Sequence, residues 1–249
     1  MKRLAIALAG ATGKMGRMIA QAISETPSVE LTATLERAAL SRLEQALSGV
    51  EAIIDFSAPP VTLALAEQLA ASGGPALIIG TTGLGASELA IVDAAAKRVP
   101  VVLSANMSLG VNVLFGLLEK AARALSGYDV EIVELHHRLK RDAPSGTALR
   151  MAEVVAGALD RELDAAARYG RHGMVGARGA EEIGVHSVRG GDIVGEHTAY
   201  FCGLGERLEL THRASSRETF ARGAVRAAEW TRGQAPGRYD MQDVLGLRE

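Results

Sequence analysis

Residues 4–24, LAIALAGATGKMGRMIAQAIS, pass from a short apolar run into a helical pattern through three glycines, Gly10, Gly13 and Gly16. A buried strand that feeds straight into a helix commits the chain, because the helix must then cover the sheet to which the strand belongs. The alternation continues. VELTATLE, EAIIDFS, ALIIGTTG and PVVLSAN read as further buried strands, and AALSRLEQALS, PPVTLALAEQLAAS and SELAIVDAAAKR as helices. Strands that are apolar throughout belong in a parallel sheet with helices on both faces. The stretch between Glu36 and Asp55 has room for one helix and the strand EAIID, so this α/β domain is trimmed there.

After NVLFGLLEKAARALS the periodicity changes. DVEIVELHHRL alternates with period two and predicts a half-buried strand, and PSGTALRMAEVVAGAL predicts a helix. Residues 182–214 read as several strands with glycine turns, antiparallel or mixed, before SRETFARGAVRAAEWTRG returns to helix. This order predicts an α+β domain inserted after the first and followed by a return helix, and 249 residues are enough for both. A net charge of −2 gives no reason to expect nucleic acid or an anionic membrane as partner. The single cysteine, Cys202, cannot build a disulfide framework, a zinc cluster or a CxxC pair, and the cytoplasm is the natural compartment. MKRLAIALAGA mimics a secretory signal, but its apolar run continues into a glycine loop that cleavage would destroy. No apolar run approaches the roughly 20 residues that span a bilayer.

The glycines are spaced G-x-x-G-x-x-G, which departs from the strict G-x-G-x-x-G fingerprint. Placed between a first strand and a first helix, they let backbone amides approach a pyrophosphate at the positive end of the helix dipole. A tight strand–helix turn without ligand would carry the same residues. Glu36 follows about 20 residues past the loop, where an acid accepts hydrogen bonds from a ribose. Arg37 beside it can pair with a 2′-phosphate, so the two together point to both NADH and NADPH, unless they are only solvated charges. GTTG (Gly80–Gly83) and SANMS (Ser104–Ser108) end later strands, on the side of the sheet that faces a ligand crevice.

Residues 134–148, ELHHRLKRDAPSGTA, crowd His136, His137, Arg138, Lys140 and Arg141 against the start of a helix. Were the strand to continue, His136 and Arg138 would share one face, and His137 and Leu139 the other, with Lys140 and Arg141 at its end. Asp142, Ala143 and Pro144 break the pattern. Ser145 is a good N-cap, and Gly146 and Thr147 then offer first-turn amides. A carboxylate could dock on those amides with Lys140 beside it, while a histidine moves a proton near neutral pH. A basic surface patch with a capped helix would also fit. Metal does not, because adjacent strand residues point to opposite faces and other suitably spaced ligands are absent.

EIVELHHRLKRDAPSGTA resembles the signature of the 4-hydroxy-tetrahydrodipicolinate reductase (dihydrodipicolinate reductase) family of lysine and diaminopimelate synthesis. GATGKMGR, IDFS, GTTG, VRGGDIVGEHT, GERLELTHRASSR and YDMQDVLGL resemble family blocks in the same order, across nearly the whole chain. The resemblance implies a Rossmann-like dinucleotide-binding domain over residues 1–107 and 217–249, and an α+β substrate and tetramerisation domain with a mixed sheet over 108–216. It implies an NAD(P)H-dependent oxidoreductase that reduces a small dicarboxylate in the cytoplasm as a homotetramer. His136 would be the acid/base and Lys140 a proton donor that also holds substrate. His137, Gly146 and Thr147 would bind substrate carboxylates. Gly10, Ala11, Thr12, Gly13, Lys14, Met15, Glu36, Arg37, Gly80, Thr81, Thr82, Ser104, Ala105, Asn106 and Met107 would line the cofactor. Two features depart from the family: the segment after Arg37 is shorter than in many members, and Met107 stands where several carry an aromatic residue. A semialdehyde dehydrogenase of similar layout would need a thiol nucleophile on a cofactor-facing loop. Cys202, in HTAYFCG, reads as a packed small hydrophobe. A nucleotide-sensing module without turnover would have no use for His136 and Lys140.

Overall fold

Leu4–Ala9 (β1) is buried at all six positions, the burial of a strand covered on both faces. In the computed structural model, which describes residues 2–36 and 43–248, β1 leads into Lys14–Glu25 (α1). Val29–Leu35 (β2), Ala52–Asp55 (β3), Ala76–Ile79 (β4) and Pro100–Leu103 (β5) complete a parallel set in the order β5-β4-β3-β1-β2. The order reverses between β1 and β3, and in open α/β sheets that reversal marks the ligand crevice. Leu43–Ala46 (α2) is the described part of the helix expected in AALSRLEQALS; the remainder before Leu43, like Arg37, lies outside the described residues. Pro59–Ser72 (α3) and Ala86–Ala96 (α4) cover one face, where Leu65, Leu69, Val92 and Ala95 pack on Ala7, Ile53, Leu77 and Val101.

A second compact unit spans Gly110–Ser216. Leu109–Ala124 (α5) precedes Asp129–His136 (β6), which alternates between buried and half-buried after an exposed Asp129. Gly146–Ala158 (α6) and the short Leu163–Ala166 (α7) follow. Ala167–Tyr169 (β7), Ile183–Arg189 (β8), Gly195–Cys202 (β9) and Arg207–Ala214 (β10) join β6 in the order β10-β9-β6-β8-β7. Pairing is parallel between β6, β8 and β7 and antiparallel between β6, β9 and β10, so the sheet is mixed. Its core joins Val130, Ile132, Ile183, Ala199 and Phe201 to Leu118 of α5 and Met151 and Val155 of α6.

The strand read from DVEIVELHHRL stops at His136, before the histidine pair is complete. Its neighbour β8 ends at Arg189, opposite His136, and the chain turns at Gly190 and Gly191. The Gly190 amide donates to the His136 carbonyl, the Arg138 amide to the Gly191 carbonyl, and the Lys140 amide to the His137 carbonyl. Residues 137–139 therefore lie in a turn, and the alternation of faces expected for them does not hold.

The chain then returns to the first unit, Met1–Leu109 with Arg217–Glu249, through Glu218–Trp230 (α8). This helix packs beside α1 on the sheet's second face, joining Ala224 and Ala228 to Ile19, Ile23, Leu8, Ile54 and Ile78. Gly237–Tyr239 (β11) adds a sixth parallel strand beyond β5, and Met241–Val244 (α9) closes the chain. Neither β7 nor β11 was expected; three residues are too few to carry a period. Among the described residues no helix is long and apolar enough to cross a membrane.

Candidate active site

At the end of β1, Gly10 has φ +79°, and a Cβ there would stand 2.4 Å from the Phe56 carbonyl oxygen just past β3. A Cβ on Gly16 would stand 2.1 Å from the Gly10 carbonyl oxygen. Only glycines allow the strand to fold under α1 at the order reversal. Gly13 caps α1 without a side-chain hydrogen bond and no acid occupies the first turn, so an anion meets no competing carboxylate there. The Gly13 amide donates to the Gly10 carbonyl, and the Arg17 guanidinium donates to the Thr12 carbonyl at 2.6 Å. Ala11 and Met15 pack on the core beneath, and Lys14 is exposed. Gly10–Met15 thus form a tightly packed turn at the start of α1, a geometry that suits the pyrophosphate of a dinucleotide.

The neighbouring loops are tied to this turn. Asp55 ends β3 with no exposed surface and accepts from the Ser57 hydroxyl and amide and from Thr62 Oγ1. Burial raises its pKa, against the pull of those hydroxyls. The Ser57 amide also donates to Thr81 Oγ1 at 3.1 Å, which fixes Gly80–Thr82 beside β3. Ser104 Oγ donates to the Asn106 carbonyl at 2.8 Å, and Asn106 Oδ1 accepts from the Ser108 amide at 2.9 Å. Ala105 is exposed, whereas Met107 is 2% exposed and sits in the core with Ala221 and Ala224. Glu36 is exposed directly after β2.

In the second unit the covered face of β6 runs Val130, Ile132, Glu134, His136, so an apolar stack ends in an acid and a base. Glu134 is fully buried. Its Oε2 lies 2.5 Å from His136 Nδ1, and Arg189 of β8 donates to both of its oxygens at 2.9 and 2.8 Å. Oε1 also accepts from the Ser145 amide at 3.1 Å. Burial alone would raise the Glu134 pKa, but the His136 and Arg189 hydrogen bonds outweigh it and hold the carboxyl well below the usual range. Beyond the strand, His137 is half-buried, and Lys140 donates to both oxygens of Asp142 at 2.9 Å. Ser145 is the N-cap of α6: its Oγ accepts from the Ala148 amide at 3.2 Å, so the helix presents Gly146 and Thr147 in its first turn.

His197 of β9 stands edge-on to His136, with ring centroids 5.1 Å apart, and its Nε2 lies 3.1 Å from Ser145 Oγ. Burial first, and then the charge on His136, push its pKa down to about 3, so it is neutral near pH 7. The sequence reading had no role for Glu134, Arg189 or His197. Glu134 could have been found, since it lies two residues before His136 and therefore on the same strand face. Arg189 and His197 arrive by strand register, which no local pattern records. Among the described residues no group of three or more His, Cys, Asp or Glu side chains could hold a metal. Cys202 ends β9 in the second unit, half-buried. The second unit thus combines a carboxylate-held imidazole, a lysine and a capped helix start, a set able to hold an anion and pass it a proton.

Two family profiles match the chain: dihydrodipicolinate reductase, N-terminus, over residues 4–107, and dihydrodipicolinate reductase, C-terminus, over residues 110–245. The 4-hydroxy-tetrahydrodipicolinate reductase of Syntrophotalea carbinolica is 50% identical, over 98% of this chain and 99% of its own. That of Nitrosomonas europaea is 49% identical over 100% of both. Among solved structures, the dipicolinate-bound dihydrodipicolinate reductase from Paenisporosarcina sp. TG-14 aligns with a TM-score of 0.79 at 23% identity, over 97% of this chain and 98% of that one. Aspartate semialdehyde dehydrogenase II from Vibrio cholerae aligns at 0.51 and 10% identity, over 94% and 100%, a likeness of fold alone.

Proposed function

The chain belongs to the dihydrodipicolinate reductase family, and on that premise we propose how its residues divide the reaction. The activity is that of a 4-hydroxy-tetrahydrodipicolinate reductase in lysine and diaminopimelate biosynthesis, with NAD(P)H as reductant. NAD(P)H held by the first unit would supply a hydride for C4 of the ring, with loss of water giving tetrahydrodipicolinate. Gly10–Met15 hold the dinucleotide's pyrophosphate, and Gly80–Thr82 and Ser104–Met107 line the rest of its site. Glu36 binds the ribose, and Arg37 accommodates a 2′-phosphate, so both NADH and NADPH serve.

The substrate carries two carboxylates. One docks on the Gly146 and Thr147 amides beside His137, and Lys140 exchanges Asp142 for it. Lys140 also assists the departure of hydroxide. His136 donates a proton from Nε2 to the enamine-like ring left by hydride addition. The relative that binds dipicolinate supports a ring dicarboxylate as the ligand. The single observation that carries this reading is the buried Glu134–His136 pair beside the capped start of α6. We place the enzyme in the cytoplasm, as a homotetramer.

Coupling the protein to a dihydrodipicolinate synthase and following absorbance with NADH and NADPH separately tests the assignment. Loss of absorbance is expected with both cofactors, and only when the synthase supplies substrate. Arg37→Ala should weaken NADPH by about ten-fold or more while sparing NADH, since a charged hydrogen bond contributes roughly 1.5–3 kcal/mol. Equal effects on the two cofactors would remove Arg37 from the site.

A further inference from the structure

We propose that Glu134 is the positioning residue for the acid of this reaction: its carboxylate keeps the proton of His136 on Nδ1 and leaves Nε2 as the atom that exchanges with substrate. The proposal rests on the reading of His136 as that acid. An ionised carboxylate has no proton to give, so the hydrogen in the 2.5 Å contact belongs to the imidazole. Which nitrogen of a histidine does chemistry is set by the hydrogen bond that the other one makes. Nε2 lies on the Gly195 side, where a Cβ would come within 3.0 Å of it, so glycine at that position keeps the nitrogen uncrowded.

Besides His136, the carboxylate is itself held from two directions. Arg189 grips both oxygens from β8, and Ser145 donates its amide from the N-cap of α6. Arg189 also donates to the Asp142 carbonyl at 2.7 Å, which ties the Lys140 turn to the same group. With four donors on two oxygens and no exposed surface, Glu134 cannot reach a ligand. It acts through His136 or not at all.

The charged and titratable groups around His136 are Glu134 on its own strand, Arg189 from β8, neutral His197 from β9 with His212 of β10 paired beyond it, and Lys140 with Asp142 in the following turn. Removing the Glu134 charge leaves Arg189 facing the imidazole without an anion between them. The protonated ring then becomes harder to maintain.

Steady-state kinetics across pH test this on four proteins: Glu134→Gln, Arg189→Met, His136→Gln and the Glu134→Gln/His136→Gln pair. Glu134→Gln should lower kcat by about ten-fold or more, but by no more than the 10²–10⁴-fold of the acid itself. It should also move the alkaline limb of the kcat profile to lower pH by about one unit or more, with KM much less affected. Arg189→Met, which removes the opposing cation, should move that limb to higher pH. In the pair, Glu134→Gln should add little to the loss caused by His136→Gln, because both act through one group. An unmoved limb in Glu134→Gln, or an equal loss in the two backgrounds, would overturn the positioning role. Should Glu134→Gln fail to fold, Arg189→Met decides alone, and an unmoved limb there overturns it as well. If His136→Gln itself is nearly silent, the fault lies with the reading of His136 as the acid, which is a separate result.

Discussion

His197 illustrates what burial does to a single side chain at this site. With 4% of its surface exposed, it stays neutral down to about pH 3 in the folded protein, whereas in the unfolded chain it takes a proton near 6.5. Below pH 6.5 the unfolded state therefore binds the extra proton. His197 then costs about 1.4 kcal/mol of stability per pH unit, from about pH 6.5 down toward 3, and nothing above that window. Denaturant unfolding at pH 7.5, 6.5 and 5.5 measures this. His197→Gln, which can still reach Ser145, is expected to lose less stability than the parent between the two lower values. Identical slopes in the two proteins would mean that His197 does not titrate in that way.

At the scale of elements, the turn from β1 to α1 makes the sharpest demand. In an ordinary helix alanine is favoured over glycine by about 1 kcal/mol. At Gly16 the added Cβ would instead meet the Gly10 carbonyl at 2.1 Å, and the loop would have to move. Gly16→Ala should weaken NADH binding by about ten-fold, ~1.4 kcal/mol, in a fluorescence titration; unchanged affinity would remove the loop from the nucleotide site. This turn was legible in the sequence, because three glycines fall between an apolar run and an amphipathic one. The strands β1, β3, β4 and β5 were legible for the same reason, and β6 by its period of two. The end of β6 was not, since it is set by the Gly190–Gly191 turn of its neighbour β8. The meeting of Glu134 with Arg189 and His197 was hidden likewise: it depends on which residues of β8 and β9 lie opposite β6, a long-range choice.

For the whole molecule, the division into two units separates the proposed nucleotide residues from the proposed acid/base residues along the chain. Strand β10, at the edge of the second sheet, has no fully buried residue, and its Leu208 is 40% exposed. A largely exposed edge strand of this kind supports the closed, symmetric tetramer proposed above. Light scattering at micromolar concentration should give the mass of four chains, and a monomer would contradict it. The proposed division of labour between the units is tested most directly by kcat and the NADH dissociation constant of His136→Gln, taken on one preparation. The expected result is a fall in kcat of about 10²–10⁴-fold with NADH binding unchanged. Retention of more than about a tenth of the parent kcat, below even the low end of that range, would contradict it and turn attention to His137.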